Sequence, residues 1–414
     1  MNTTPTYEIM APAGSWECLR AAVDAGADSV YFGIGQLNMR SHSTANFTTE
    51  DLPEVTKYCN EHGVNTYLTV NTVMYDNDLD IMRHIIDTAK ATGVSAIIAS
   101  DVAAMQYANQ IGVEVHLSTQ LNIANVEALR FYAQFADVVV LARELNLDQV
   151  KAISQAIECE HIVGRGGKPV RIEMFCHGAL CMAVSGKCYL SLHEFGRSAN
   201  RGECMQVCRR AYTVYDREGD VELDIDNKYI MSPKDLKTIH FMNKMLDAGV
   251  SVFKIEGRAR GAEYVKTTVE CYKEALEAWK QGTFTDEKVA GWDKRLATVF
   301  NRGFWNGYYL GQRLGEWTPR YGSQATRKKE YIGVVSNFYK KIGVAEFTLH
   351  SGQLAVGDDF LVIGETTGLY EGSVSELRDA DTRVCQSVVK GQVCSVKTTA
   401  TLHRGDKVYK WVPV

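Results

Sequence analysis

Four cysteines lie close together in a segment that is otherwise rich in glycine, serine and arginine. Cys181, Cys188, Cys204 and Cys208 are separated from one another by six, fifteen and three residues. Cys176 precedes them, so this one segment contains five of the 11 cysteines of the chain. Thiolates are the ligands of zinc and of iron–sulfur clusters, and four of them at this density indicate a metal centre.

The spacing of the four cysteines favours an iron–sulfur cluster over zinc. Zinc ribbons and fingers usually contain two pairs of ligands, each pair separated by two to four residues, and only Cys204 and Cys208 fit that rule. A four-iron, four-sulfur cluster is a larger object, and loops of varied length can wrap around it. Structural zinc and free thiols remain the alternatives.

Charged side chains that suit an anionic substrate lie near the cysteines and also further along the chain. Arg197 and Arg201 lie between the second and third cysteines, and Lys254, Glu256 and Arg258 alternate in a later segment. A guanidinium group binds a carboxylate or a phosphate through two parallel hydrogen bonds. These residues indicate a site for a dicarboxylate metabolite or an RNA phosphate, with ordinary ion pairs as the alternative.

Three residues are candidates for proton transfer. His177 lies just before the first of the four cysteines. In this position its side chain could act as an acid, donate a hydrogen bond or orient a ligand. Lys254 and Glu256 are the other two candidates, because both lie at the carboxyl-terminal end of the predicted strand Val252–Glu256. A purely structural, hydrogen-bonded histidine is the alternative for His177.

The elements that must position these groups repeat a unit of a short β-branched strand followed by an amphipathic helix. Glycine ends several of the helices, as expected for a left-handed stop before the next strand. Eight such units in about 280 residues predict a (β/α)8 TIM-like barrel. An open doubly wound sheet is the rival, but the segment APAGSWE after the first strand lacks its glycine-rich phosphate-binding spacing. The predicted strands are Tyr7–Ala11, Ser29–Gly33, Thr66–Val70, Ala96–Ala99, Glu114–Ser118, Asp137–Leu141, Arg171–Phe175 and Val252–Glu256.

Active sites of such barrels are built at the carboxyl ends of the strands and in the loops that follow. Polar residues at those ends are therefore expected to converge on one face, and the cysteine segment follows the seventh strand. The single-residue alternative is a helix cap, above all for Ser100 and Asp101. The converging set is Asn71, Gln120, Arg143, His177, Lys254, Glu256 and Arg258.

The periodicity divides the chain into three parts. Residues 1–285 form the predicted barrel, which includes the cysteine segment 176–210 and a helix over Leu236–Asp247. Residues 286–330 form a helical and aromatic connector. Residues 331–414 contain short alternating strands with Gly-Asp turns, which predict a small antiparallel β-barrel domain.

Composition limits the classes of protein to which the chain can belong. It has 414 residues, of which 45% are hydrophobic and 23% charged, with a net charge of -5, so neither a fibrous protein nor a protein with a global attraction for nucleic acid is indicated. The amino terminus lacks a signal-peptide pattern, and no apolar run reaches the ~18 residues of a membrane span. We therefore expect a cytoplasmic protein, and in a reducing compartment clustered cysteines favour metal binding over disulfides.

Several motifs give the chain a resemblance to a known family, the collagenase-like peptidases of unknown catalytic type. The resemblance extends over nearly the whole chain and is closest to the branch of tRNA uridine hydroxylases. The motifs are APAG at Ala11–Gly14, DAGADSVYFG at Asp24–Gly33, HGALCMAVSGKCYLS at His177–Ser191, NRGECMQVCR at Asn200–Arg209 and KIEGR at Lys254–Arg258.

This resemblance implies more than the spacing does. RNA-modifying and quinone-pathway members of the family use an iron–sulfur cluster in oxygen-independent hydroxylation, which would make Cys181, Cys188, Cys204 and Cys208 the cluster ligands. The branch named above produces 5-hydroxyuridine at the wobble position of tRNA and requires prephenate. Polar residues at the barrel mouth would then bind the two carboxylates of prephenate. The binding residues would be Arg143, Arg197, Arg201, Arg258, Asn71 and Gln120.

Other functions stay open at this stage. The family name records a claimed collagenase activity, although the sequence shows no Ser/His/Asp or Cys/His arrangement and no HExxH motif that explains proteolysis. Relatives that hydroxylate an rRNA cytidine or a quinone precursor share much of the cysteine motif. A non-catalytic RNA-binding scaffold with structural zinc is the third possibility.

Overall fold

The computed structural model describes residues 6–41, 46–213 and 229–414. Its larger sheet contains ten strands, and its helices lie outside this sheet. The strands are β1 (Glu8–Pro12), β2 (Ser29–Phe32), β3 (Asn65–Val70), β4 (Ala96–Ala99), β5 (Val115–Leu117), β6 (Val138–Val140), β7 (Arg171–Gly178), β8 (Asp235–Lys237), β9 (Val250–Ile255) and β10 (Phe304–Trp305).

Eight of these strands form a closed parallel barrel. Strands β1 to β7 pair in chain order, β9 pairs with β1, and β9 also pairs with β7. The closure requires β9 to hydrogen-bond on both sides; all its residues except Ser251 are buried, and all except Ser251 and Lys254 are apolar. The prediction of a (β/α)8 barrel is confirmed, and the predicted strand positions agree with the observed ones within a few residues.

Helices connect the strands and pack around the barrel. Asp101 caps the amino terminus of one helix, where its side chain accepts a hydrogen bond from the backbone N–H of Ala103, so its role here is structural. Gly93 and Gly112 end two helices in the left-handed conformation, both with φ of 78°, which confirms the predicted glycine stops. The helices are α1 (Trp16–Asp24), α2 (Leu52–Glu61), α3 (Leu79–Thr92), α4 (Val102–Ile111), α5 (Val126–Ala133), α6 (Leu147–Cys159), α7 (Leu190–Phe195), α8 (Met242–Asp247), α9 (Ala262–Lys280) and α10 (Asp286–Leu296).

The structure corrects the predicted helix over Leu236–Asp247. Its first residues form β8, which pairs antiparallel with the end of β7 at the barrel mouth, and only α8 is helical. A short 3-10 turn, Ile239–Phe241, separates the two. Leu236 is buried in this strand. A buried apolar residue is expected in a strand as well as on the inner face of a helix, so Leu236 alone does not distinguish the two.

The segment after α9 packs against the barrel. Trp292 and Leu296 of α10 are buried in the barrel's hydrophobic core, and β10 extends the sheet by pairing with β8. Among the described residues, the longest helix is too polar to cross a membrane, and no other helix meets both the length and the apolarity that a span requires.

The carboxyl-terminal strands build an antiparallel domain with a hydrophobic core of its own, which includes Phe347 and Phe360. This confirms the predicted antiparallel character of the domain. Leu361 and Leu369 pack instead against the barrel core, so the domain is fixed on the barrel's side. The strands are β11 (Arg327–Tyr339), β12 (Val344–Leu349), β13 (Gln353–Ala355), β14 (Asp359–Gly364), β15 (Gly368–Ser373), β16 (Leu377–Asp379), β17 (Val384–Cys385), β18 (Ser387–Val389), β19 (Val393–Lys397) and β20 (Lys407–Pro413).

Gly178 ends β7 in a position that only glycine suits. Its φ is +104°, and a Cβ there would lie 2.3 Å from the carbonyl oxygen of Glu256. We expect Gly178→Ala to lower the free energy of unfolding by at least about 2 kcal/mol, through backbone strain and displacement of the loop after β9. Gly167→Ala is the control, since its φ is +74° but nothing lies within 4 Å. The control should lose only about 1 kcal/mol in denaturant titrations. Equal losses would contradict this account.

Candidate active site at the mouth of the barrel

A cavity of about 300 Å³ opens at the carboxyl ends of the barrel strands, and all four cysteines line it. Cys181 is exposed, whereas Cys188, Cys204 and Cys208 are half-buried, and none of the four forms a disulfide. Burial raises the pKa of the Cys208 thiol; Arg209 opposes this shift, and the other three cysteines add to it. The four thiols therefore lie within electrostatic reach of one another at one opening.

Arginines of the cysteine segment hold it in place over the mouth. Arg209 donates hydrogen bonds to the carbonyl oxygens of Leu180 and Pro233, at 2.5 and 2.8 Å, and to the Ser232 hydroxyl. Each of these bonds joins parts of the chain that are distant in sequence. Arg209 thus supports the cavity wall, a role that its position in the sequence did not indicate.

Arg201, predicted as a substrate-binding residue, makes a similar contact. Its guanidinium group binds both carboxylate oxygens of Asp78, at 2.6 and 3.2 Å, and the carbonyl oxygen of Val73. The structure therefore places Arg201 in a clamp between the loop after β3 and the cysteine segment, outside the cavity lining. Arg197 is exposed and also lies outside this lining.

His177, predicted as a catalytic residue, is buried on β7 beside the cavity and does not line it. Its ring packs among those of Tyr264, Tyr272 and Phe304, at centroid distances of 5.5 to 5.9 Å. Burial lowers the pKa of His177 to about 3, and the positive charges of nearby Lys237 and Arg260 add to this effect. The ring is therefore neutral at physiological pH and serves as packing for the closure of the barrel.

A cluster of three arginines surrounds the Glu256 carboxylate inside the cavity. Arg40 forms an ion pair with Glu256 at 3.0 Å. Burial acts to raise the pKa of Glu256, but Arg40 and Arg143 outweigh it and lower the pKa to about 2. Arg258 is fully buried and donates hydrogen bonds to Asn38 and to the hydroxyl of Thr69. Glu256 is therefore a permanent anion that neutralises part of a strongly positive mouth.

Arg40 is a site residue that the sequence analysis missed. It follows the end of β2 by eight residues, so a search limited to the strand ends passes over it. A search that included the loops after the strands could have identified it, because the loop after the second strand lies at the barrel mouth.

Lys254 lines the cavity, but its ammonium group already has a partner. It forms a buried ion pair with Glu173 of β7 at 2.7 Å, and it lies 4.7 Å from the ring centroid of Tyr31. The other carboxylate oxygen of Glu173 is buried without a hydrogen-bond partner. The pair thus forms a charged layer inside the barrel beneath the cavity, and Glu173 is a second residue that the sequence analysis missed.

Unpartnered polar atoms in the cavity wall indicate a polar ligand. Thr119 Oγ1, Gln120 Oε1 and Arg143 Nε are buried and make no hydrogen bond within the described structure. Buried polar groups are almost always paired, because leaving one unpaired costs about 1–3 kcal/mol. Asn71, by contrast, is engaged on both sides, by the backbone N–H of Met39 and the hydroxyl of Ser118. Gln120 and Arg143 are therefore the groups best prepared to bind a ligand.

The four thiols at the cavity are of the donor type that binds zinc or an iron–sulfur cluster. Within the described ranges, no three His, Cys, Asp or Glu side chains come close enough together to hold one metal ion. A zinc site needs its donors about 2.0–2.3 Å from a single point. An iron–sulfur cluster is held differently, with each of its iron atoms bound by a separate thiolate.

Polar and charged groups at the carboxyl-terminal mouth of an α/β barrel, around a cavity with unpaired hydrogen-bonding atoms, are typical of an enzyme site. The profile of Peptidase family U32 matches residues 14–319, and the chain belongs to that family.

Three relatives illustrate the range of names within it. The chain is 62% identical to the "Collagenase" of Porphyromonas gingivalis strain W83, over 98% of each chain. It is 32% identical to the "tRNA hydroxylation protein P1" of Bacillus subtilis, over 81% of this chain and 78% of that protein. It is 38% identical to the "23S rRNA 5-hydroxycytidine C2501 synthase" of Escherichia coli, over 66% of this chain and 39% of that protein.

The neutral, buried state of His177 predicts a pH dependence of stability. The ordinary pKa of 6.5 falls to about 3 in the folded protein, so between these values the unfolded chain binds a proton that the folded chain does not. Stability is therefore lost as the pH falls below about 6.5. From about pH 7 to about pH 5, wild-type protein should lose about 2 kcal/mol more than His177→Phe. Denaturant titrations at both pH values measure this, and parallel losses in the two proteins would refute it.

Proposed function

We propose that the protein is an iron–sulfur RNA hydroxylase that converts a tRNA uridine to 5-hydroxyuridine with prephenate as co-substrate. The observation that carries this proposal is the common location of the two required sites. The four thiols line the same cavity as Arg143 and Gln120, whose buried polar atoms lack partners. The names of the Bacillus subtilis and Escherichia coli relatives support an RNA substrate.

The four cysteines are the proposed ligands of a four-iron, four-sulfur cluster. Such a cluster, when bound, supplies one-electron chemistry. The chain's own contribution is to hold the thiols at an open mouth: Cys181 is exposed, and Arg209 and Arg201 fix the segment that carries the ligands. Cys181, Cys188, Cys204 and Cys208 would hold one iron each, and the cluster would supply electron transfer to the reaction.

Arg143 is the proposed anchor for a carboxylate of prephenate. Its guanidinium group lies over the ring of Phe175, with 3.7 Å between the central carbon and the ring centroid, and one nitrogen donates to the carbonyl oxygen of Ala179. Its Nε remains without a partner. A guanidinium fixed by stacking and with donors to spare binds a carboxylate with little loss of side-chain entropy.

The Glu256 carboxylate gives the mouth its selectivity for one dianion. Arg40, Arg143 and Arg258 would otherwise bind any polyanion that fits the cavity. Because the pKa of Glu256 is about 2, its negative charge persists at every physiological pH and repels surplus phosphate or carboxylate groups. We assign Glu256 and Lys254 to the positioning of the ligand, since each is already paired, to Arg40 and Glu173.

Iron and sulfide analysis tests the cluster. Protein purified without oxygen should contain about four iron and four sulfide per chain, and single Ala substitutions at Cys181, Cys188, Cys204 or Cys208 should remove most of both. Cys159→Ala is the matched control, because Cys159 is exposed at the end of α6 and lies outside the cavity. Stoichiometric zinc without sulfide would overturn the cluster.

Nucleoside analysis of tRNA tests the reaction. A deletion strain should lack 5-hydroxyuridine and its derivatives, and wild-type protein should restore them. Arg143→Ala should raise the prephenate concentration needed for half-maximal activity by about 10- to 100-fold, since a hydrogen bond to a charged group contributes about 1.5–3 kcal/mol. Arg165→Ala is the control, because Arg165 is exposed in the loop before β7 and lies outside the cavity lining. Unchanged nucleosides in a deletion strain that has no paralogue would contradict the proposal.

Proteolysis is the second candidate, because the relative with 62% identity is named "Collagenase". A cysteine or serine nucleophile needs a neighbouring base, yet no histidine is found among the described residues that line the cavity. Iron-free protein that cleaves gelatin, with Cys181→Ala retaining this activity, would favour the peptidase. Gelatin left intact by both proteins would favour the hydroxylase.

A further inference from the structure

Large apolar side chains are exposed along the cysteine segment and on the loop that is clamped to it. Tyr189 is 69% exposed and Tyr75 is 59% exposed. Aromatic groups of this size are normally buried, so their concentration in one short region is informative. We call this set the aromatic rim; its members are Val73, Tyr75, Met182, Val184, Tyr189, Leu192, Phe195 and Met205.

The aromatic rim borders the cavity directly. Met182 and Val184 line the cavity wall, and Tyr189 is adjacent in sequence to the lining residue Cys188. Tyr75 belongs to the loop after β3 but is held to the same segment, because the Arg201 guanidinium lies 4.1 Å from its ring centroid. The Arg201–Asp78 ion pair and the hydrogen bond from Val73 N to Asn200 O, 3.1 Å long, fix this arrangement.

Exposed positive charge lies among the rim residues of the cysteine segment. Of the five Lys or Arg in residues 181–210, Arg201 and Arg210 are ion-paired and Arg209 is bound to the cavity wall, which leaves two. Lys187 and Arg197 are exposed between the rim residues. A surface that combines exposed aromatic rings with local positive charge complements a polyanion that carries planar rings, and an unpaired RNA strand has both properties.

We propose that the aromatic rim is a stacking platform for the unpaired nucleotides that flank the base entering the cavity, with Tyr189 and Tyr75 as its main contacts. This inference rests on the proposed function. A base that reacts inside the cavity must leave its stack, and its neighbours then lose a stacking partner. Rings already exposed at the mouth replace that partner, while Lys187 and Arg197 contact the phosphates.

RNA binding by full-length protein with its cluster tests the platform without any need for turnover. The probe is a fluorescently labelled oligouridylate strand, compared with the same strand paired to oligoadenylate, and the readout is anisotropy at constant salt. Wild-type protein should prefer the single strand. Tyr189→Ala should weaken its binding by about 5- to 100-fold, from the range for base stacking on one aromatic ring. Tyr189→Phe keeps the ring and should stay within about two-fold.

Phe131→Ala is the matched control, since Phe131 is 57% exposed on α5 and lies outside the cavity lining. Its affinity for the single strand should equal that of the wild type, and the iron content of each variant shows whether the fold is intact.

If wild-type protein hydroxylates RNA but Tyr189→Ala binds the single strand equally well, the platform is refuted while the proposed function stands. Loss of hydroxylation with unchanged RNA affinity would assign the rim to a protein partner and also overturn the platform. If wild-type protein binds neither strand, the proposed function itself fails.

Discussion

The segment Glu256–Arg258 passes between two glycines that leave no space for a side chain, and the rest of the site depends on this packing. A Cβ at Gly14 would lie 1.9 Å from the carbonyl oxygen of Arg258, and a Cβ at Gly178 would lie 2.3 Å from that of Glu256. Gly14 ends the APAG motif after the first strand, and Gly178 ends the seventh. The loop after β9, the last strand of the barrel, is therefore fixed at the point where the barrel closes. This close packing fixes the backbone of Glu256 and Arg258 so that both residues line the cavity.

This packing also explains how the chain tolerates so much positive charge at a half-buried mouth. Arg40, Arg143 and Arg258 surround the Glu256 carboxylate, whose pKa they lower against the effect of burial. Arg258 is held by neutral oxygens of Asn38 and Thr69, and burial lowers its pKa only to about 10, so it stays charged. Arg258 and Arg143 therefore line the cavity as charged groups next to a carboxylate that is itself charged.

Much of the barrel could be predicted from the sequence, because short β-branched strands, amphipathic helices and glycine stops each follow from local chemistry. The convergence of Lys254, Glu256 and Gln120 follows from the barrel in turn, since all strand ends meet on one face. The roles of His177 and Arg201 could not be predicted. Whether a histidine at a strand end points into a cavity or into packed rings depends on the register with β8, and the sequence pattern of that strand predicts the start of a helix. Arg201 is engaged by Asp78, a partner more than a hundred residues away, and no local pattern reports such a pairing.

The central claim is that the cluster and the carboxylate metabolite occupy one cavity, and electron paramagnetic resonance of anaerobically reduced protein tests it most directly. The account predicts a signal from a reduced four-iron cluster that changes its shape when prephenate is added. It also predicts that Arg143→Ala keeps the signal but loses this change. A cluster signal that prephenate leaves unaltered at saturating concentration, or an iron-free protein that still binds prephenate and hydroxylates RNA, would contradict the account.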